Sequence, residues 1–467
     1  MFQFKDAGCR LADGGGFASS SYDTTRDVTP VLYSAYTPLY PAAFGAWAAS
    51  VGCGLEQNRV FELVLVALLA TSSLVLFSGA FASHPRARLA ALVAVAATAP
   101  VAGVALLDDR PELLGLVLLA AQWILMTGAA PGQRRRAVYL VAAVTFLASP
   151  FVGSAAALLA YAFNLDRTPG GARAALSETA KALVWFGGVP ALVAAGFLLA
   201  DGQSLGRFTD HVADVARSDP GAAAAWASAW FSSSLHSVTL MTKWTVVALA
   251  LAGVTFAARR DFAAAWRPLL VAWVVMASPF FVHPEQNNYF LAGSFITLML
   301  LATWNRIWRH PLAIRPAAVA GLIAVYCSLA APEIALSVLM RLETRDSARE
   351  QGRRVAALGD RLSRLQPDEW FLIPHGAYFF YRPYTSQLFA IEYMFPAFPR
   401  ERVAGVALCD AGQPADLAVA VPQAVKDLRF TPAAEPAHAQ TTIGLFGRRV
   451  MRRQWGAICT NLFRQRD

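Results

Sequence analysis

VFELVLVALLATSSLVLFSGAFA, residues 60–82, is the stretch that decides the fold. It carries a single charged side chain, Glu62. As a helix rising 1.5 Å per residue it reaches about 34 Å, enough for a hydrocarbon layer of about 30 Å. Comparable apolar runs recur as far as Leu339, and the whole chain is 56% hydrophobic and only 15% charged. Mean hydropathy is +0.43. Such a chain uses lipid as solvent, and in lipid the backbone is satisfied by helices. The net charge of +9 is not a nucleic-acid signal. Much of the arginine falls in short loops between apolar runs, where positive charge sets orientation, and no nucleic-acid-binding motif interrupts that pattern.

Outward from residues 60–82, further spans are expected at about 89–107, 113–129, 182–199, 238–257, 269–282, 290–303 and 317–339. Residues 137–163 are too long for one comfortable span and are interrupted by Ser149-Pro150, so two short helices meeting at the outer face are expected there. That makes ten crossings. SHPRAR (83–88), GQRRR (132–136) and Arg259-Arg260 then lie on the cytoplasmic side, and DDRPE (108–112) lies outside. Residues 40–52 are too short to span and read as an interfacial helix. No sequence repeat is visible, which weighs against an inverted-repeat transporter.

Past Met340 the character changes. Residues 341–365 read as a charged helix, and WFLIP (370–374), VAGVALC (403–409) and LAVAVP (417–422) read as strands bounded by turn residues. The expected class is an all-α polytopic membrane protein of about ten segments with a small C-terminal α/β domain. Its parts are an outer first loop at 1–58, a transmembrane domain at 59–340 and an extracytoplasmic domain at 341–467. No glycine-rich phosphate loop is present.

LADGGGF (11–17), followed by YTPLYP (36–41), resembles the first outer loop of the GT-C glycosyltransferases, in the protein-mannosyltransferase-like branch that includes the aminoarabinose transferases. The resemblance implies a lipid-phosphate-dependent sugar transferase with its catalytic carboxylate in that loop. In the family an acidic pair precedes the first glycine by about a dozen residues, which here falls near Met1 and Phe2. The reading therefore expects a further membrane helix upstream of Met1, with Asp6 the nearest carboxylate on this chain. The family also carries a short helical pair, often with Lys at its apex, where this chain has Ser149-Pro150.

Sugar transfer from a lipid phosphate needs a carboxylate to deprotonate the acceptor and cations to stabilise the departing phosphate. Asp6, Asp109 and Glu112 are the candidate catalytic residues. Arg110, Tyr36, Tyr40, His283, Glu285, Asn288 and Tyr289 are candidates for gripping the sugar or its phosphate. DDRPE also suits simple helix capping, because Pro111 fits a first helical position and acids favour the N-terminal dipole. Lys181 and Lys243 read as snorkelling side chains. No cofactor is firmly implied, and a divalent metal stays open. Of the five cysteines, Cys9 and Cys53 flank the first loop and Cys409 and Cys459 lie in the tail. An oxidising compartment would allow two disulfides, but unpaired thiols are the expected state.

The expected function is transfer of a sugar from a polyprenyl-phosphate donor to a lipid, glycan or protein acceptor. The reaction would occur at the outer face of the cytoplasmic (inner) membrane, among membrane lipids and with no nucleic-acid partner. A transporter or flippase of lipid-linked sugars is the first alternative, although the spans are almost free of ionisable residues. A non-catalytic membrane scaffold is the second.

Overall fold

The computed structural model describes residues 2–19, 31–32, 38–80, 82–83, 85–86, 88–89, 111–128, 135–168, 171–200, 299, 303, 306–307, 345–374, 377–391, 399–408, 425–433, 442–445, 448–452 and 459–465. The chain divides into two compact units. Unit 1 joins Met1–Tyr33 and Pro41–Phe61 to Leu336–Asp467, and unit 2 comprises Ser34–Tyr40 and Glu62–Ala335. The first polar segment and the C-terminal region, expected as separate domains, thus belong to one body.

Helices dominate, with a small sheet. The first are α1 (Phe2–Ala12), α2 (Leu39–Val51) and α3 (Leu55–Ala80). Then come α4 (Glu112–Gly128), α5 (Arg135–Ala148), α6 (Pro150–Arg167) and α7 (Ala172–Ala200). Among the described residues, two helices are long and apolar enough to cross a membrane: Leu55–Gly79 within α3, and α7. α4 and α5 are shorter apolar helices. The expected spans between 238 and 339 fall outside the described residues except for isolated positions, and the one at 89–107 does so beyond residue 89.

In unit 2, α4, α5 and α6 pack side by side. The break expected at Ser149-Pro150 is present, and its chemistry is local. Ser149 is the N-cap of α6, its hydroxyl accepts the Val152 amide, and Pro150 takes the first helical turn, where its missing N–H costs nothing. Glycines then let the helices close up. A Cβ on Gly115 of α4 would sit 3.0 Å from the Val152 Cβ and 3.1 Å from the Ser149 Cβ. Polar ties cross the bundle. Gln122 Nε2 donates to the Ala156 carbonyl at 2.9 Å, and Trp123 Nε1 donates to Thr303 Oγ1 at 2.8 Å. α7 differs, since only 6% of its apolar window is buried in the protein. Lys181 on α7 pairs with Glu178 at 3.2 Å.

Unit 1 holds the sheet. β3 (Trp370–Ile373) pairs in parallel with both β4 (Leu388–Ala390) and β5 (Val403–Leu408). β9 (Thr460–Arg464) runs antiparallel between β5 and β6 (Phe430–Pro432), so the order is β4-β3-β5-β9-β6. β3 and β5 coincide with two of the expected strands to within a residue; the third, 417–422, lies outside the described residues. All four β3 side chains are buried, as in a strand covered on both faces. One face packs Trp370, Leu372, Phe389, Val406 and Leu462. On the other, Phe371 meets Tyr381 and Phe463. Gly405 is required opposite that ring, since a Cβ there would lie 2.5 Å from Phe371 and 2.6 Å from the Leu462 carbonyl.

Within the charged 341–365 stretch lie two helices, α8 (Arg345–Ala356) and α9 (Gly359–Ser363). α8 is pinned through Gln351, whose amide donates to the Tyr381 hydroxyl and whose oxygen accepts the Cys459 N–H. Small pairs β1 (Ala18–Ser19) with β2 (Val31–Leu32), and β7 (Thr442–Leu445) with β8 (Arg448–Arg452), are antiparallel.

Candidate functional site

α1 is only eleven residues long and strongly polar, FQFKDAGCRLA, yet Lys5, Asp6, Ala7 and Cys9 are all buried. Isolated helices this short are marginal in water, so tertiary packing has to hold it. Glycine makes the close approach. A Cβ on Gly8 would stand 2.5 Å from the Pro41 carbonyl oxygen and 3.0 Å from the Gly45 nitrogen of α2. The DGGG run that follows is a helix stop. Gly14 takes φ +79°, its N–H donates to the Leu11 carbonyl, and the Gly15 N–H donates to that of Arg10. Only a residue without a Cβ adopts that left-handed turn without cost.

From this seat α1 meets α10 (Tyr378–Tyr381) of the C-terminal region. The Tyr378 hydroxyl donates to Asp6 Oδ1 at 2.9 Å and accepts from Arg382 Nε at 3.0 Å. Arg382 also donates to the Asp13 carboxylate. The second Asp6 oxygen accepts from Ser19 Oγ at 3.1 Å and Arg10 Nε at 3.2 Å. Arg10 reaches on to the Ser386 carbonyl at 2.9 Å. Tyr378 and Arg382 are one helical turn apart and Asp6 and Asp13 two turns apart, so one face of each segment supplies the pairs. Beside them Lys5 lies among the rings of Phe44, Phe61 and Phe379 and donates to Asn58.

The electrostatics follow from burial. Desolvation, reinforced by the Asp6 charge and opposed by Arg382 and Arg10, pushes the Tyr378 hydroxyl well above its ordinary value. Burial also raises Tyr381. Burial alone would lower Arg382, but Tyr378, Asp13 and Asp6 outweigh it and hold the guanidinium firmly charged. The cluster is therefore a charged pair-and-bridge network around a neutral phenol.

Asp6, expected as a base, is 1% exposed and bonded through both oxygens. To take a proton from an acceptor it would have to give up partners. In this conformation it organises its surroundings. Glu112 is the first residue of α4, directly after Pro111, and is 2% exposed, a placement that matches a helix-start acid. Tyr40 is 1% exposed and so is not presented as a stacking ring for a sugar. Asp109, Arg110, Tyr36, His283, Glu285, Asn288 and Tyr289 lie outside the described residues. Among the described residues no three His, Cys, Asp or Glu side chains gather as metal ligands.

The cysteine expectation is corrected. Cys9 and Cys53 form a disulfide, with Cα atoms 5.7 Å apart, and Cys459 is disulfide-bonded as well. Folding of α1 back onto α2 brings together residues that the sequence separates by 44 positions. Sequence reading also passed over Tyr378 and Arg382. The signal was present in YFFYRPY (378–384), an aromatic run with a lone arginine one helical turn from a tyrosine. No family model, curated protein or solved structure matches the chain.

Proposed function

We propose that the chain is an integral-membrane glycosyltransferase that uses a polyprenyl-phosphate sugar as donor and a lipid, glycan or protein as acceptor, inverting the sugar at the outer membrane face. The observation that carries this reading is the placement of LADGGGF, the stretch on which the resemblance rests. It closes α1, and Asp13 within it binds Arg382 of the C-terminal region. A transferase needs its first loop held in register over the reacting groups, since catalysis depends on positions fixed to well under an ångström. The disulfides support an oxidising, extracytoplasmic setting for unit 1. Multi-pass insertion in the inner membrane belongs to the same proposal, supported by the two long apolar helices and the arginine pattern.

In this scheme Asp109 or Glu112 serves as the acceptor's base, and Arg110 stabilises the phosphate that leaves. Asp6 is assigned to positioning. Its saturated carboxylate is also the observation that favours the second reading, a non-catalytic membrane scaffold.

Purified protein incubated with radiolabelled polyprenyl-phosphate sugars and membrane lipids tests the proposal. Transfer is expected with the unaltered chain and is lost in Asp109→Asn or Glu112→Gln, with thermal stability little changed. Lowered stability by roughly 0.5–2 kcal/mol with turnover preserved would mark a cap instead. No transfer from any donor leaves the scaffold.

A further inference from the structure

We propose that the Cys9–Cys53 disulfide is a redox latch that holds α1 in its seat, and that a dithiol reductant releases it. This goes beyond sugar transfer and does not depend on it. α1 is held by backbone contact with α2, by polar and ring contacts of Lys5, Asp6 and Arg10, and by one covalent tie. Its backbone touches α2 through Gly8 and Gly45, where a Cβ on Gly45 would lie 2.9 Å from the Gly8 carbonyl. Its charges, Lys5, Asp6 and Arg10, are all bonded, and those bonds offset the desolvation that burying charge costs. The covalent tie is the third, and it closes a loop across 44 positions. A disulfide acts by removing freedom from the undocked state, so cutting it shifts α1 toward leaving.

Access is asymmetric. Cys9 is fully buried, whereas Cys53 is partly exposed in the turn between α2 and α3, next to exposed Gly52 at φ +92°. A reductant thiolate therefore attacks the Cys53 sulfur. The S–S bond breaks, Cys9 leaves as a thiolate and takes a proton, and a mixed disulfide stands at Cys53. The second thiol of the reductant attacks that bond, freeing Cys53 and leaving the reductant as a disulfide. Two electrons pass to the protein, and α1 keeps only its noncovalent contacts. Undocking parts Asp6 from Tyr378 and Asp13 from Arg382, so the redox state of one bond sets the order of the whole first segment.

Trypsin reads the latch directly, because Lys5 and Arg10 sit on α1 and are shielded in the docked state. Full-length protein purified in detergent under oxidising conditions should resist cleavage at both positions. After dithiothreitol, with both thiols shown by alkylation to be free, cleavage after Lys5 and Arg10 should rise at least tenfold. Cys9→Ala with Cys53→Ala should be cut without reductant, and Cys459→Ala should stay resistant. Where the double variant does not fold, reduction of the folded wild-type chain still gives the answer. Unchanged resistance after verified reduction overturns the latch. So does equal cleavage of the oxidised chain, or cleavage that follows Cys459 alone.

Discussion

α1 and α7 are both helices, and they are opposites. α1 has eleven residues carrying a lysine, an aspartate and an arginine, and its middle is sealed inside unit 1. α7 has 29 residues, almost all apolar beyond Lys181, and leaves Leu183, Val184, Leu192 and Leu199 largely uncovered by protein. In water this would be upside down. The difference teaches that the two helices are held in different ways. α7 satisfies its backbone internally and is long and apolar enough to cross a membrane, a setting in which such a helix needs few protein neighbours. α1 is too short and too polar for lipid. It is stable only where protein groups replace water around every charge.

The largest expected effect follows from removing one such group. Asp6→Ala would leave the Tyr378 hydroxyl, Ser19 Oγ and Arg10 Nε without their acceptor, a loss of about 3 kcal/mol by analogy with broken buried pairs. Hydrogen exchange of the α1 amides measures it. Protection unchanged from the parent chain would mean that α1 does not lean on its charges.

A smaller effect comes from pH. Tyr378 and Tyr381 are both raised above an ordinary value of 10.0, chiefly by burial. A raised pKa means the folded state holds its proton longer than the unfolded chain. The stability tied to the neutral phenols is therefore complete below pH 10 and is lost as pH climbs beyond it. Melting of unit 1 followed from pH 8 to 11 should fall only above about pH 10. Tyr378→Phe should flatten part of that fall, and an equal slope in the variant would remove Tyr378 from the effect.

The smallest effect belongs to α7. Leu192 is 74% exposed, so Leu192→Ala empties no protein cavity and should alter stability in detergent by less than about 0.5 kcal/mol. A loss of 2 kcal/mol or more, the scale of a buried leucine, would show that protein covers this face and would undo the contrast with α1.

Much of this was legible along the chain. The apolar runs at α3 and α7, the helix break at Ser149-Pro150, the short helix α2 and the strands β3 and β5 are all local signals. Each depends on periodicity, run length or a turn residue within a few positions, and propensity acts at that range. The partners of Asp6 were not legible, since Tyr378 lies 372 positions away, nor was the Cys9–Cys53 bond. Gly14, Gly15 and Gly16 read as a motif, but their place as the C-cap of α1, and the close approach of Gly8 to α2, depend on the fold. Sequence by itself determined where the long apolar helices α3 and α7 lie, because hydrophobicity is a property of each segment alone. Only the tertiary structure decided which charges are buried together, because that depends on which distant segments fold into one body.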